Sequence, residues 1–219
     1  MSAPVHLCRY QFQDVDFRRV GTTTDGGTSL SGISEPIETD GGGYWRGDFT
    51  NGRTRTKADG LAWRALIESF DGGAIPADIV VCDTFFQPEN WAHGHHYDPG
   101  APADALPASG NTYTSSAAAL RATSIAIACP DPSQLQAGQI FSIAHPHWGN
   151  RAYRIIAWDG TTAKIRPPLR EAVTAATPLE FYSPRCRMRY VPQDAANPTN
   201  LGKFQTCNIT LVEDMRKPA

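Results

Sequence analysis

The sequence predicts a mainly β protein with one short helix, and three observations carry that prediction. Short apolar segments with a period of two recur along most of the chain. Glycine and proline together make up about a sixth of the residues, a turn-rich composition that separates those segments. One stretch alone has a sustained helical period. Short strands at roughly even spacing build sandwiches or small barrels.

The elements follow in chain order. Val5 to Phe12 has strand character, and Asp25-Gly26-Gly27 reads as a polar turn. Asp40-Gly41-Gly42-Gly43 leads into Tyr44 to Phe49, where Trp45 and Phe49 share one face and Arg46 and Asp48 the other. The helix is expected over about 56–70. Thr56 caps it with Asp59 three residues on, a variant of the capping box. Trp63, Leu66, Ile67 and Phe70 form its apolar stripe, and Asp71-Gly72-Gly73 stops it. Ile79 to Phe86 reads as a buried strand, and Gln87 to Asn111, rich in proline, glycine and histidine, as a long loop. A second all-β region starts near Thr112. Its strand candidates are the alternation Ile125, Ile127, Cys129, then Gln139 to Ile143, Tyr153 to Trp158 and Thr162 to Arg166, with Asp159-Gly160 as a tight hairpin turn. Leu179 to Tyr182, Arg187 to Val191 and Phe204 to Val212 complete the set, with Cys207, Ile209 and Leu211 on one face of the last. That last strand has the character of the early ones. It is expected to pair with the N-terminal sheet, which makes residues from about 112 to 183 an insertion.

Composition narrows the function classes. A chain of 219 residues suits one large β domain or two smaller ones. Its formal net charge of -2 gives no electrostatic footprint for nucleic acid or an anionic membrane. No apolar run approaches the roughly 20 residues that span a bilayer. Met1 to Tyr10 lacks the basic and apolar regions of a signal peptide, so folding in a cytoplasm is expected. Cys8, Cys82, Cys129, Cys186 and Cys207 are scattered, odd in number and without a CxxC pair, which reads as reduced, mostly buried thiols.

Standard catalytic signatures are missing: the sequence has no GxSxG elbow, P-loop, HExxH or strand-borne GxGxxG. A non-enzymatic protein without a cofactor is therefore expected. The sharpest local oddity is the segment Trp91 to Asp98. His93, His95, His96 and Asp98 are the candidate metal ligands, because imidazole and carboxylate suit zinc. A single glycine-containing loop offers no orienting outer shell, so exposed loop histidines are the preferred reading. Trp91, His93, His95, His96 and Tyr97 form the candidate interaction loop. His145-Pro146-His147-Trp148 reads as a hairpin tip with a packed Trp148. Arg185, Arg187 and Arg189 fall on one strand face opposite Cys186 and Met188, either as a solvated face or as an inter-subunit ion-pair stripe. Asn208-Ile209-Thr210 matches a glycosylation acceptor formally but lies inside a strand.

Several phrases together resemble one family. They are Gly42-Gly43-Tyr44-Trp45-Arg46 before the helix with Trp63 and Leu66, then Leu135 to Ile143, Tyr153-Arg154-Ile155, Ile165 to Ala172 and Pro184 to Met188, with a β-rich end carrying Glu213. Their order is similar to that of distal-tail and minor-tail proteins from the tail tip of long-tailed bacteriophages. The resemblance implies a ring-forming, β-sandwich-like domain with one helix over residues 1–111 plus 184–219. It also implies an inserted small β-barrel over 112–183, resembling an oligonucleotide/oligosaccharide-binding fold or a galectin-like domain. The function implied is structural. A homo-oligomeric ring, often a hexamer, would join the tail tube protein to hub and fibre proteins in the virion, after assembly in the bacterial host cytoplasm. The family shares no catalytic residues. The alternative is a carbohydrate-binding module contacting a host surface glycan through Trp91, Tyr97, Trp148 and Trp158. A third reading is a metal-dependent hydrolase using His93, His95, His96 and Asp98.

Overall fold

The computed structural model describes residues 4–21, 23–28, 34–38, 42–81, 112–192 and 205–217. They form two five-stranded antiparallel sheets, a two-stranded ribbon and one α-helix. The strands are β1 (Asp14–Val20), β2 (Thr23–Thr28), β3 (Ser34–Glu38), β4 (Tyr44–Thr54), β5 (Ala77–Val80), β6 (Tyr113–Thr114), β7 (Ser124–Ala128), β8 (Ile140–His145), β9 (Gly149–Trp158), β10 (Thr162–Arg166), β11 (Arg185–Tyr190) and β12 (Gln205–Glu213). The helix α1 spans Lys57–Ser69.

The first sheet has the order β1-β4-β12-β11-β5. Its centre is β12, the C-terminal strand, which pairs with β4 on one side and β11 on the other. The alternation read from the sequence sets its faces: Trp45 and Phe49 of β4, Cys186 and Met188 of β11 and Cys207, Ile209 and Leu211 of β12 are all buried. Trp63 and Ile67 of α1 pack into the same core together with Phe70, Leu7 and Tyr10. The helix begins on a true capping box, in which Thr56 Oγ1 accepts the Asp59 N–H and Asp59 Oδ2 accepts the Thr56 N–H, each at 3.1 Å.

The second sheet has the order β6-β7-β10-β9-β8. Its two edge strands are joined by one irregular segment. The Thr114 N–H donates to Thr177 O at 3.0 Å on the β6 side, and Ser142 and Glu180 exchange backbone bonds at 2.8 and 2.9 Å on the β8 side. The curled sheet is thus bridged at both edges by this segment and takes the form of a small barrel. Inside it, Phe141, Ile143, Tyr153, Ile155, Ile165 and Phe181 form a second core.

Four expectations need correction. Val5 to Phe12 is not a strand: Val5 makes one parallel bridge to Ile79, and Leu7–Tyr10 is a short 3-10 helix. Leu7 and Tyr10 are both buried, and a spacing of three places them on one side of such a turn. Asp25-Gly26-Gly27 lies within β2 instead of forming a turn, and the ribbon register shifts between Asp25 and Thr28, a bulge that glycine accommodates. Leu179 to Tyr182 is the closing segment just described, not a regular strand. Finally, Cys8 is disulfide-bonded, so the reading of uniformly reduced thiols fails, and with it one support for folding in a cytoplasm. Spacing along the chain detects only local cysteine pairs. Cys129, Cys186 and Cys207 are free. The strand expected over 79–86 is described only through β5 and Val81, and the loop expected over 87–111 lies outside the described residues.

Candidate functional site

The two sheets meet at a buried charged cluster built from four places in the sequence. Glu213 ends β12 with its carboxylate fully buried. It stands at the same strand parity as Cys207, Ile209 and Leu211, so the strand aims it into the core. Arg151, near the start of β9, is likewise completely buried, at the parity of Tyr153 and Ile155. Arg170 reaches the carboxylate from the segment after β10, and the Trp45 backbone reaches it from β4.

The geometry satisfies the carboxylate in full. Glu213 Oε1 accepts from Arg151 Nη1 and Arg170 Nε, each at 3.3 Å. Glu213 Oε2 accepts from Arg170 Nη2 at 3.0 Å and from the Trp45 N–H at 3.1 Å. Arg151 Nη1 also donates to Asp214 O at 2.6 Å, and its Nε donates to Trp148 O at 3.0 Å. Arg170 Nη2 donates to Gly43 O as well. Beside the cluster, Trp45 Nε1 donates to Ala152 O at 2.7 Å, and Arg154 Nη2 donates to Phe17 O at 3.0 Å while its guanidinium lies over the Trp45 ring. Gly43 is in the left-handed region at φ 75°, and a Cβ there would meet Val20 O at 2.4 Å, so only glycine fits.

Around this centre lie further charged groups. Burial pushes the Asp214 carboxyl upward, but hydrogen bonds and charge from Arg216, with Arg187 adding charge, outweigh it and hold the group below the usual range. A second chain of contacts leads outward along the barrel. Tyr153 Oη accepts the Arg170 N–H at 3.0 Å and lies 2.7 Å from His145 Nε2. Burial holds the Tyr153 hydroxyl well above its ordinary pKa. His147 Nδ1 contacts Glu171 Oε1, and the His147 N–H donates to Glu171 Oε2 at 3.1 Å.

The sequence candidates are distributed unevenly over this architecture. Trp91, His93, His95, His96, Tyr97 and Asp98 lie outside the described residues. Among the described residues no group of three or more His, Cys, Asp and Glu side chains comes together as a metal site. His147 and Trp148 form the expected hairpin tip, but His145 ends β8 and is buried. The Trp148 ring is engaged by two cations: Arg151 and Lys217 lie 5.7 and 5.6 Å from its centroid. Trp158 Nε1 donates to Pro132 O at 2.9 Å, and its ring packs against the barrel core. Arg185, Arg187 and Arg189 do share a face, with Arg187 3.6 Å from Asp214. Asn208 Oδ1 accepts the Asn51 N–H at 2.7 Å, which ties that amide to the neighbouring strand.

The Glu213 cluster was missed as a site. The signal was present for two of its members, since an acid and a base stood at core parity within otherwise apolar alternations. Compared with known protein families and with curated proteins, the chain matches none.

Proposed function

We infer that this protein is a structural component of a phage tail tip, a ring-forming subunit that links the tail tube to hub and fibre proteins. One observation carries the reading: charged residues buried between the two β layers, Glu213 and Arg151 foremost, point at each other and hold the layers together. Hydrogen bonds of Glu213, Arg151 and Arg170 join the barrel to the first sheet. That is the architecture of a scaffold, and it agrees with the tail-tip resemblance of Gly42 to Arg46, Leu135 to Ile143 and Ile165 to Ala172. A ring joins identical copies by contacts that close on themselves, and such contacts use strand edges and sheet faces that leave no sequence motif. The outer face of the first sheet supplies a surface of that kind, with Asp16, Arg18, Arg46 and Asp48 linked by ion pairs on β1 and β4.

Light scattering with negative-stain imaging of the purified chain tests this. The expected result is a closed ring of about six copies of the 23.8 kDa chain, alone or within tail particles. A strict monomer that also fails to enter tail particles overturns it.

A further inference from the structure

We propose that His145 and Tyr153 form a pH-sensitive latch on the contact between the barrel and the first sheet, closed while His145 is neutral and released when its imidazole takes up a proton. The direction of the hydrogen bonds follows from where the phenolic proton can go. Tyr153 Oη accepts the Arg170 N–H at 3.0 Å. The phenolic proton is then free to point at His145 Nε2, 2.7 Å away. We assign His145 Nε2 as the acceptor of that proton, which leaves the ring proton on Nδ1. Nδ1 is buried and has no hydrogen-bond partner.

A second proton on Nε2 reverses this bond. Tyr153 Oη would then face two donors, Arg170 N–H and His145 Nε2–H, and its own proton would lose its acceptor. An imidazolium would also be confined in a site that is only 4% exposed. The consequence travels through Arg170. Its N–H is held by Tyr153, and its guanidinium holds Glu213 and Gly43 of the first sheet. Loosening Tyr153 thus loosens the segment that ties the barrel to that sheet.

The charged groups around the imidazole come from three elements. Arg151 on β9 opposes its protonation and Glu171, after β10, favours it. Glu171 is itself engaged by His147 on the same hairpin, and Glu213 on β12 by Arg151 and Arg170. Burial dominates, with Arg151 adding to it, and lowers His145 from 6.5 to about 4. The closed state therefore binds fewer protons than the open one. The latch is at full strength above pH 6.5 and weakens as pH falls from there towards 4.

Hydrogen exchange on the full chain tests the latch. After correction for intrinsic exchange chemistry, the opening equilibrium at Arg170 is expected to rise about 50-fold between pH 7 and pH 4.5. His145→Gln keeps an acceptor oxygen for the Tyr153 hydroxyl and cannot take up a proton in this range, so its profile is expected to stay flat. An equal rise in His145→Gln overturns the proposal. A second measurement covers a variant that fails to fold: the His145 ring resonances of the unmodified protein are expected to titrate below pH 5, and titration near 6.5 overturns it.

Discussion

Glu213 is an acid in a core, and what it does follows from its donors. A carboxylate has roughly four acceptor positions, and here Arg151, Arg170 on both oxygens and the Trp45 N–H occupy them. A buried ion pair contributes little against an apolar replacement, but removing one partner leaves an uncompensated charge. Glu213→Gln is therefore expected to destabilise the protein by about 3–5 kcal/mol, read as a lower urea midpoint at an unchanged m-value. Replacing Glu213 and Arg151 together by Leu and Met is expected to cost less than the single change. A loss for Glu213→Gln under about 1 kcal/mol would show that solvent reaches the site. Two of these residues were legible in principle, because Glu213 follows Cys207, Ile209 and Leu211 in parity and Arg151 precedes Tyr153 and Ile155. Arg170 was not. It lies in an irregular segment, where no period assigns a side chain to a face, and its guanidinium's partners Glu213 and Gly43 are 43 and 127 residues away in sequence.

At the level of elements, α1 depends on its first turn as much as on its apolar stripe. The Thr56 and Asp59 bonds satisfy two of the backbone donors that every helix start leaves open. Thr56→Ala is expected to cost about 1 kcal/mol at neutral pH, measured by thermal or urea unfolding. Asp59 is held below its ordinary value of 3.8, first by the Thr56 side chain and, more weakly, by Arg9. Its contribution is present above that value and lost as pH falls through the lower, folded one. The gap between Thr56→Ala and the unmodified protein is therefore expected to narrow below pH 3.8. This helix, with β4, β7, β9, β10 and β12, could be read from the sequence because each keeps one period long enough to define a face. The Leu7–Tyr10 turn could not, since four residues of apolar and polar mixture fit a strand equally well. The barrel's closing segment was misread for a related reason. It touches β6 through Pro178 and β8 through Glu180, so it changes partner before any regular pairing is established.

The molecule as a whole is coupled by its topology. Strands β11 and β12 follow the barrel in sequence but complete the sheet that β1, β4 and β5 begin. The first sheet is therefore completed only by chain on both sides of the barrel, and its central strand comes last of the described strands in sequence. The barrel has no such dependence, because its closing segment lies within its own stretch of chain. Two kinds of contact bind the halves: hydrogen bonds, made by Trp45, Arg151 and Arg170 and also by Ser142, Asn150 and Arg154, and the apolar packing of Ile140 and Ala152 into the first core. If the polar bonds dominate, the unmodified chain unfolds in urea in one transition, with far-UV circular dichroism and tryptophan fluorescence sharing a midpoint. Trp45→Phe combined with Arg170→Ala then removes the Nε1 bond to Ala152 and two of the bonds to Glu213, and is expected to separate the two midpoints. The first sheet, which loses its seam at β4 and β12, would melt at the lower urea concentration, and the self-closed barrel at the higher. Coincident midpoints in that variant would instead assign the coupling to the contacts that remain, the packing of Ile140 and Ala152 with the bonds of Ser142, Asn150, Arg151 and Arg154.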